Sequence, residues 1–475
     1  MNWLWTSQDL ITAMAGRPVG TLPEGITGIS IDSRSVTPGE AFFAIKGDRV
    51  DGHDYASFAM ANGASLLVVS ESKLPALGRL TVPMIVVEDV LGALVRLGQA
   101  ARARSRARII AVTGSVGKTT TKEMLRTVLS PSGSVHASVA SFNNHWGVPV
   151  TLARMPRDAD FGIFEIGMNH PGEIRPLTRM VQPHVAIITT IAGAHLGNFE
   201  SLDEIAAAKA EIFEGVAPGG HAILNRDIEQ YEFLERAALA ARVEHIHSFG
   251  EHAEADFQLA EFVGQAESSI VWASLDGEPV ELAIGAPGRH IAENALAALC
   301  AASVVGADLN LAIEALGELK AVKGRGQRHR LAIGNGSFTL IDDSYNANPA
   351  SMRAAVSVLA SAIPEGEGRR IAVLGDMLEM GEHAAKVHAD LSGPLLAAGI
   401  ENVWLAGPQM QALNDVLPDN IAVEYRPTTD ELVGFAVDAV RPGDVLVVKS
   451  SLGTAFGKIV AALLDKYPAF SDTDR

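Results

Sequence analysis

A glycine-rich turn that ends in Gly-Lys-Thr carries the clearest chemical signal in this sequence. The segment Thr113-Gly-Ser-Val-Gly-Lys-Thr-Thr120 directly follows an apolar strand pattern and precedes a helical one. Glycines let backbone N–H groups turn toward an anion, and a helix N-terminus adds a favourable dipole. Lys118 would neutralise the terminal phosphates of a nucleotide, and the Thr119 hydroxyl would ligate Mg²⁺. The residues predicted to surround the phosphates are Thr113, Gly114, Ser115, Val116, Gly117, Lys118, Thr119 and Thr120.

The strict phosphate-loop pattern is incomplete, because Val112 stands where that pattern has its first glycine. A Gly-rich turn with an incidental lysine is therefore the alternative interpretation. The strand–turn–helix context favours nucleotide binding, since this is the context in which such a loop works.

Two potential metal ligands follow other apolar runs in the same part of the chain. Glu165 lies near the end of the strand pattern 161–166, and His195 comes just after the pattern 185–191. Open α/β sheets bind ligands at the carboxyl ends of their strands. Taken alone, Glu165 could be a paired carboxylate and His195 a core histidine. Their shared location with the phosphate loop favours Mg²⁺ ligation beside a nucleotide.

Lys209 and an asparagine-rich loop give weaker signals. Lys209 lies on the helical pattern 202–213, where a solvent-facing lysine is the simplest interpretation. Asn143 and Asn144 lie in the segment 142–149, which also fits a plain turn.

Composition narrows the possible functions. The chain has 475 residues, which at about 150 residues per domain predicts roughly three domains. A formal net charge of −18 argues against nucleic acid as a partner. The single cysteine, Cys300, excludes an intramolecular disulfide. We find no secretory pattern and no apolar run near the ~18 residues that a membrane span needs, so no membrane insertion and a cytoplasmic location are expected.

Strand and helix patterns alternate twice, which predicts an α/β protein with mainly parallel sheets covered on both faces. The first alternation opens at 108–113 and the second near Gly334, with the basic, glycine-rich stretch 323–328 between them. Short strand patterns precede both, and the spaced arginines 102, 104, 106 and 108 are expected to form a solvated face or linker. The predicted domains are 1–88, 89–323 and 324–475.

Several motifs, in this order, resemble the ATP-dependent Mur ligases of peptidoglycan synthesis. The central ones are the loop 113–120, Asn143-Asn-x-x-Gly-x-Pro149, Phe164-Glu-Ile-Gly-Met-Asn169, Ala194-His-Leu196 and Ala208-Lys-x-Glu-Ile212. The stretches 341–352 and 374–381 resemble the branch of the family that adds D-Ala-D-Ala. The stretch 32–53 is similar to the uridine-binding domain of this branch and of the branch that adds the third residue. The resemblance covers nearly the whole chain.

The resemblance implies a small N-terminal α/β uridine-binding domain, a central ATP-binding domain and a C-terminal Rossmann-like domain. It implies that a monomer joins D-Ala-D-Ala to UDP-N-acetylmuramoyl-tripeptide, with ATP energising the tripeptide carboxyl as an acyl phosphate. Thr119 and Glu165 would lie near one Mg²⁺ ion and His195 near a second. Lys209 would ligate the second ion if it carries a carbamate, as the matching lysine does in relatives. The implied catalytic residues are Lys118, Glu165, His195 and Lys209.

The binding residues are carried over by the same resemblance. Asn294 matches the family's adenine contact and Asp343 its ribose contact, and Arg325 joins them on the nucleotide. The candidates for the uridine and pyrophosphate end are Ser33, Arg34, Lys46, Gly47 and His53. The other substrate contacts would come from Asn143, Asn144, Tyr345, Asn346 and Asn348.

One motif departs from the family. The usual Lys-Gly-Ser-Arg reads Lys449-Ser450-Ser451-Leu452 here, so any substrate contact made by that arginine is absent. The alternative within the family is a ligase that adds diaminopimelate or lysine to UDP-N-acetylmuramoyl-dipeptide, but its Asp-Asn-Pro-Arg-type signature is not found. Alternatives from other classes are a phosphate-loop switch and an inactive nucleotide-binding protein. Because an acyl phosphate must be kept from water, we also expect the domains to close about linkers near Val322 and Arg328.

Overall fold

Three large β-sheets, each with helices packed on it, make up the computed structural model. It describes residues 3–47, 50–78, 82–139, 141–193 and 196–470. Each sheet lies within one of the three predicted segments, so the predicted α/β class is confirmed. The boundaries 1–88, 89–323 and 324–475 stay a prediction. Among the described residues, no helix is long and apolar enough to cross a membrane.

The N-terminal sheet is small and has the strand order β2-β7-β6-β5-β4. Strands β4 to β7 pair in parallel, β2 pairs antiparallel at one edge, and β1 and β3 form a separate pair. The elements are β1 Trp5–Thr6, α1 Ser7–Met14, β2 Arg17–Val19, β3 Gly25–Ile26, β4 Gly28–Ser30, β5 Glu40–Phe43, α2 Ala56–Ala61, β6 Leu66–Ser70, β7 Met84–Val87 and α3 Val90–Arg104.

The middle sheet has nine strands in the order β16-β15-β14-β13-β12-β11-β8-β10-β9. All neighbours from β9 to β14 are parallel, as predicted, and β15 and β16 extend the sheet as antiparallel strands. The elements are β8 Arg108–Thr113, α4 Lys118–Leu129, β9 Val135–Ala137, α5 Gly147–Arg154, β10 Phe161–Glu165, α6 Ile174–Val181, β11 Val185–Ile188, α7 Leu202–Ala210, β12 His221–Asn225, α8 Tyr231–Ala240, β13 His245–Gly250, β14 Phe257–Gly264, β15 Ser269–Leu275, β16 Glu278–Ile284, α9 Arg289–Val304 and α10 Leu309–Leu316.

The central strand β8 shows how both faces of this sheet are covered. Ile109 and Ala111 belong to one apolar cluster, and Ile110 and Val112 belong to the other. Successive side chains of a strand point to opposite faces. A continuous run of apolar residues therefore fits a strand between two helical layers.

The C-terminal sheet has the order β17-β18-β22-β19-β20-β21, and only β17 is antiparallel. The basic linker is shorter than predicted, because β17 already begins at Gln327. The elements are β17 Gln327–Ile333, β18 Gly336–Asp343, α11 Pro349–Ser361, β19 Arg370–Gly375, α12 Ala384–Ala389, α13 Ser392–Ala397, β20 Asn402–Ala406, α14 Gln411–Asn414, β21 Ala422–Arg426, α15 Thr429–Ala439, β22 Val445–Lys449 and α16 Gly457–Lys466.

Helix α3 joins the N-terminal sheet to the middle sheet. Its buried residues Leu94 and Leu97 share one apolar cluster with Ile29 of the N-terminal sheet and with Ile109 and Leu152 of the middle segment. These two segments therefore bury apolar surface against each other.

The expected solvated face of spaced arginines is wrong for two of its members. The Arg104 guanidinium lies 3.3 Å from the centroid of the Trp5 ring and donates to the carbonyl oxygen of Leu4 at 2.9 Å. Arg102 donates to the carbonyl oxygens of Val181 and Gln182. Both arginines bind elements that lie far away in sequence, which a local charge pattern does not indicate.

We predict that Arg104→Met lowers the free energy of unfolding by about 1–2 kcal/mol, because the stacking on Trp5 and a buried backbone partner are both lost. Arg106→Met is the matched control, since Arg106 is exposed on the same stretch. Urea denaturation of both variants measures the difference. Equal unfolding midpoints would show that the Trp5 contact stabilises nothing.

Candidate active site

The phosphate loop lies between the end of β8 and the start of α4 at Lys118. Strand β8 is paired on both sides, with β10 and β11, so the loop leaves the centre of the sheet. Gly117 adopts a φ of +88°, which glycine tolerates readily. A Cβ atom on Gly114 would lie 1.9 Å from the Thr189 hydroxyl oxygen. The close approach of the backbone at this point therefore requires a glycine.

Lys118 points back into its own loop. Its Nζ donates to the carbonyl oxygen of Gly114 at 2.6 Å. Burial lowers the pKa of Lys118, and the nearby Arg325 lowers it further, while Glu165 opposes the shift. An anion bound in this loop would favour the charged ammonium and offset the cost of burial.

Glu165 is a buried carboxylate with a partner for each oxygen. Its Oε2 accepts from the Thr119 hydroxyl at 2.8 Å, and its Oε1 accepts from Asn143 Nδ2 at 2.7 Å. Only 1% of Glu165 is exposed, and a buried carboxylate without such donors would be costly. The end of β10, the start of α4 and the asparagine loop are thus joined at one carboxyl group.

The Thr119 and Glu165 oxygens fit a magnesium ion. Mg²⁺ is usually held by one or two carboxylates together with phosphate oxygens and water, and these two hard oxygen donors lie 2.8 Å apart beside the phosphate loop. Among the described residues, no group of three His, Cys, Asp or Glu side chains could hold a metal ion. Phosphate and water would therefore complete the coordination. His195 lies outside the described residues, so its predicted place at a second ion stays a prediction.

Lys209 is buried, with 2% of its surface exposed, so the interpretation as a solvent-facing lysine is wrong. Its Nζ forms no hydrogen bond within the part of the chain that the structure describes. Burial lowers the pKa of Lys209 far below its usual value, and the charge of Lys118 lowers it further. The surrounding run Ala206-Ala-Ala-Lys-Ala210 has little contrast in polarity, so the sequence did not indicate which face of α7 is covered.

One cavity of about 570 Å³ connects the phosphate loop with the C-terminal sheet. It brings together most of the residues predicted to bind nucleotide or to lie beside the metal, together with four of those predicted to contact substrate. Those that line it are Ser115, Val116, Gly117, Lys118, Thr119, Thr120, Asn143, Glu165, Asn294, Arg325, Asp343, Tyr345, Asn346 and Asn348.

The C-terminal wall of this cavity is organised by two cations. Lys449 Nζ donates to Asp343 Oδ2 at 2.7 Å and to the carbonyl oxygen of Asn346 at 3.0 Å. The Arg325 guanidinium lies 4.5 Å from the centroid of the Tyr345 ring, and Arg325 also donates to Ser141 of the middle segment at 3.4 Å. The wall therefore holds positive charge close to the phosphate loop.

Other predicted residues do not line this cavity. Thr113 is buried at the end of β8, and Gly114 faces Thr189. The five residues predicted for the uridine end lie in the N-terminal segment, where Ser33 is buried, Arg34 and Lys46 are exposed, and Gly47 lies against the Trp146 ring of the asparagine loop. That contact brings the N-terminal segment next to Asn143 and Asn144.

Several predicted binding side chains form hydrogen bonds within the protein itself, among them His53 and Asn144. His53 Nδ1 lies 2.6 Å from Asp51 Oδ1, and its Nε2 accepts from the Ser70 N–H at 2.9 Å. The Asn144 side-chain oxygen accepts from the N–H groups of Trp146 and Gly147. His53 and Asn144 therefore hold backbone segments in place. Their residue types and motifs did not indicate whether they bind a ligand or the protein's own backbone.

Among the cavity-lining residues that the sequence did not indicate, three contact or adjoin residues of the predicted site. Ser141 contacts Thr119 at 3.3 Å, and Thr189 donates to the carbonyl oxygen of Val116. Glu293 lies beside Asn294, and burial together with Asp227 and Glu251 raises its pKa to about 7. Thr189 had a usable signal, because it follows β11 at the ligand-binding edge of the sheet.

The fold and the cavity define a three-domain, nucleotide-binding α/β enzyme, and comparisons with known proteins narrow the class. Three family models match along the chain: "Mur ligase family, catalytic domain" over 25–102, "Mur ligase middle domain" over 112–302 and "Mur ligase, glutamate ligase domain" over 324–452.

Full-length relatives agree with these models. The UDP-N-acetylmuramoyl-tripeptide--D-alanyl-D-alanine ligase of Escherichia coli is 36% identical over 92% of this chain and 94% of its own. The ligase of the same name from Rickettsia prowazekii is 31% identical over 96% and 99%. A crystal structure of MurF from Acinetobacter baumannii superposes with a TM-score of 0.82 at 31% identity, covering 97% of this chain and 99% of that one. The chain belongs to the Mur ligase family.

We predict that Thr119→Val weakens the binding of Mg²⁺–ATP by at least about tenfold, equivalent to about 1.4 kcal/mol, because the variant lacks the hydroxyl that would ligate the metal. Thr121→Val is the matched control. The buried hydroxyl of Thr121 has no hydrogen-bond partner, so its removal leaves nucleotide affinity unchanged and does not lower stability. Titration calorimetry with a non-hydrolysable ATP analogue, with and without Mg²⁺, measures both variants. Equal affinities would remove Thr119 from the metal site.

Proposed function

We propose that this protein is an ATP-dependent ligase that joins D-Ala-D-Ala to UDP-N-acetylmuramoyl-tripeptide and thereby forms the pentapeptide precursor of peptidoglycan. The observation that carries the proposal is the shared cavity, in which the phosphate loop of the middle segment faces Tyr345, Asn346 and Asn348 of the C-terminal segment. The names of the relatives, which cover nearly the whole chain, supply the substrates.

The chemistry explains why the two segments must meet. A carboxylate is a poor electrophile at neutral pH. Its oxygen attacks the γ-phosphorus of ATP, the bond from that phosphorus to the β-phosphate oxygen breaks, and ADP leaves. The amine of the dipeptide then attacks the carbonyl carbon of the acyl phosphate, loses a proton, and the tetrahedral intermediate expels phosphate. Three substrates must be held in one geometry for this sequence.

Cations from both segments support the first step. Lys118 and Arg325 place positive charge where the terminal phosphate approaches a second anion, the substrate carboxylate. A Mg²⁺ ion held by Thr119 and Glu165 would neutralise phosphate charge and orient the terminal phosphate. Asn143 keeps the Glu165 carboxylate in place for this task.

The N-terminal segment is proposed to bind the UDP end of the acceptor. Lys46 is an exposed cation that suits a pyrophosphate. Arg34 is also exposed but is paired with Asp32 at 2.7 Å, so it would have to exchange that carboxylate for phosphate. Ser33 and Gly47 lie next to these cations in the chain. His53 would position this loop through Asp51 and Ser70. The monomeric state and the cytoplasmic location remain predictions.

We predict that phosphate release from ATP requires both UDP-N-acetylmuramoyl-tripeptide and D-Ala-D-Ala. A coupled phosphate assay with each acceptor and its matching amine measures this, and Lys118→Ala is the inactive control with its fold verified by circular dichroism. Free diaminopimelate with UDP-N-acetylmuramoyl-dipeptide is the second arm. Turnover in that arm alone would make the chain the diaminopimelate-adding or lysine-adding ligase instead.

Lys209 is proposed to carry a carbamate that ligates the second Mg²⁺ ion. Carbamylation needs a neutral amine, which attacks CO₂, forms an N–C bond and releases a proton. Lys209 is buried and has no hydrogen-bond partner in the described chain, and burial lowers its pKa, which favours the neutral amine that this reaction needs. The product is an anion, which suits a position beside the charge of Lys118 and a metal.

We predict a carbamate carbonyl resonance in the ¹³C NMR spectrum after incubation with ¹³C-labelled bicarbonate. The resonance disappears in Lys209→Met and persists in Lys122→Met. Lys122 is also fully buried, but its Nζ is already engaged, because it is ion-paired with Glu123 at 2.9 Å and donates to the carbonyl oxygen of Ser138 at 2.8 Å. A spectrum of the parent protein without this resonance would leave Lys209 a plain amine.

A further inference from the structure

A backbone contact joins the middle and C-terminal segments outside the phosphate loop. The short 3₁₀ turn Leu196–Asn198 meets the loop that ends in the turn Gly381–His383. The Gly197 N–H donates to the carbonyl oxygen of Glu379 at 2.9 Å. None of the functions above uses this contact, although it contains the last glycine of the stretch 374–381.

Two facing glycines make the contact possible. A Cβ atom on Gly381 would lie 2.7 Å from the Gly197 Cα atom, and a Cβ atom on Gly197 would lie 3.1 Å from the Gly381 nitrogen. Either distance is shorter than an ordinary carbon contact. Any side chain at either position would therefore push the two segments apart.

The C-terminal side of the contact is a rigid loop. Asp376 is buried and accepts from the N–H groups of Gln409 and Met410. The Met377 N–H donates to His388 Nε2, and the Leu378 N–H donates to the Ser451 hydroxyl. The loop then presents the Glu379 carbonyl with a φ of +63° at that residue, which is uncommon for a side-chain-bearing residue and is held by the surroundings.

The middle side of the contact is connected to the active site. Asn198 Nδ2 donates to the carbonyl oxygen of Asn169 at 3.1 Å, and Asn169 follows Glu165 by four residues and lines the same cavity. Leu378, Glu379 and Met380 line this cavity from the C-terminal side. A change in the distance between the two glycines would therefore displace residues on both walls of the cavity.

We propose that Gly197 and Gly381 form an interdomain latch that holds the closed arrangement of the middle and C-terminal segments and sets the distance between the two cavity walls. Both are positioning residues, since neither needs to touch a substrate. The kinetic test of this proposal rests on the proposed ligase function. The measurement of domain closure does not, because closure can be measured without turnover.

The test substitutes each glycine by alanine. Gly197→Ala adds a side chain without strain at its own backbone, and it lowers kcat of the ligation on the order of a hundredfold, as a displacement of about 1 Å between reacting groups would. Gly381→Ala, with the shorter contact, lowers kcat further. Affinity for Mg²⁺–ATP falls by a much smaller factor than kcat in both variants, because Lys118 and Thr119 of the middle segment are unaffected and only the contacts from Arg325 and Asp343 are displaced.

Two alanine controls separate the latch from general effects of replacing glycine. Gly399 has a φ of +62° and open space around its Cα atom, so Gly399→Ala reproduces the strain of Gly381→Ala without a clash. Gly393 is the unstrained counterpart for Gly197. Both controls retain the parent kcat.

Small-angle X-ray scattering reads closure directly. With ATP analogue and UDP-substrate bound, the parent protein contracts and both latch variants stay expanded. Parent-like kcat and contraction in Gly197→Ala would overturn the latch, as would a loss of ATP affinity as large as the loss of kcat. If the parent contracts and both latch variants stay expanded, but the parent releases no phosphate with D-Ala-D-Ala, the ligase function fails while the latch stands.

Discussion

The hydrogen-bonded carboxylate of Glu165 is the interaction on which the rest of the active site depends. It lies inside the protein, and its two oxygens are satisfied by Thr119 and Asn143. Because a buried carboxylate without donors is unfavourable by several kcal/mol, this arrangement forces a strand end, a helix start and a loop to meet. The phosphate loop, the proposed metal ligands and the asparagine motif therefore meet at the Glu165 carboxylate, although they lie far apart in the sequence.

The proximity of these residues could be predicted from the sequence, because it follows from the topology of a parallel sheet. Parallel strands end at the same edge, so Lys118 and Glu165 could be placed together before any coordinates were known. The sheet beyond β12 was predicted poorly. The strand signals there are interrupted: the register of β14 shifts between Leu259 and Glu261, which breaks its alternation, and β16 contains Pro279, a residue that is unusual inside a strand.

Side-chain roles were harder to predict than positions. Asn143 and Asn144 are adjacent and identical in type, yet one orients Glu165 and the other bonds to the backbone at the start of α5. His53 likewise matches a binding motif but uses both ring nitrogens internally. Lys209 appeared to be a surface residue, because burial of a lysine is decided by the tertiary packing around it. Composition and periodicity contain no information on which partner a polar atom finds.

The departure at Lys449-Ser450-Ser451-Leu452 separates two tasks that the family motif combines. Lys449 still stabilises the cavity wall, since its Nζ at the end of β22 binds Asp343 and the backbone of Asn346. Ser451 also supports the wall by accepting from the Leu378 N–H. Leu452 is 61% exposed at the cavity edge and offers no charge. The cavity wall can therefore be retained without the arginine, and Arg325, stacked on Tyr345, is the cation that remains close to the phosphate loop.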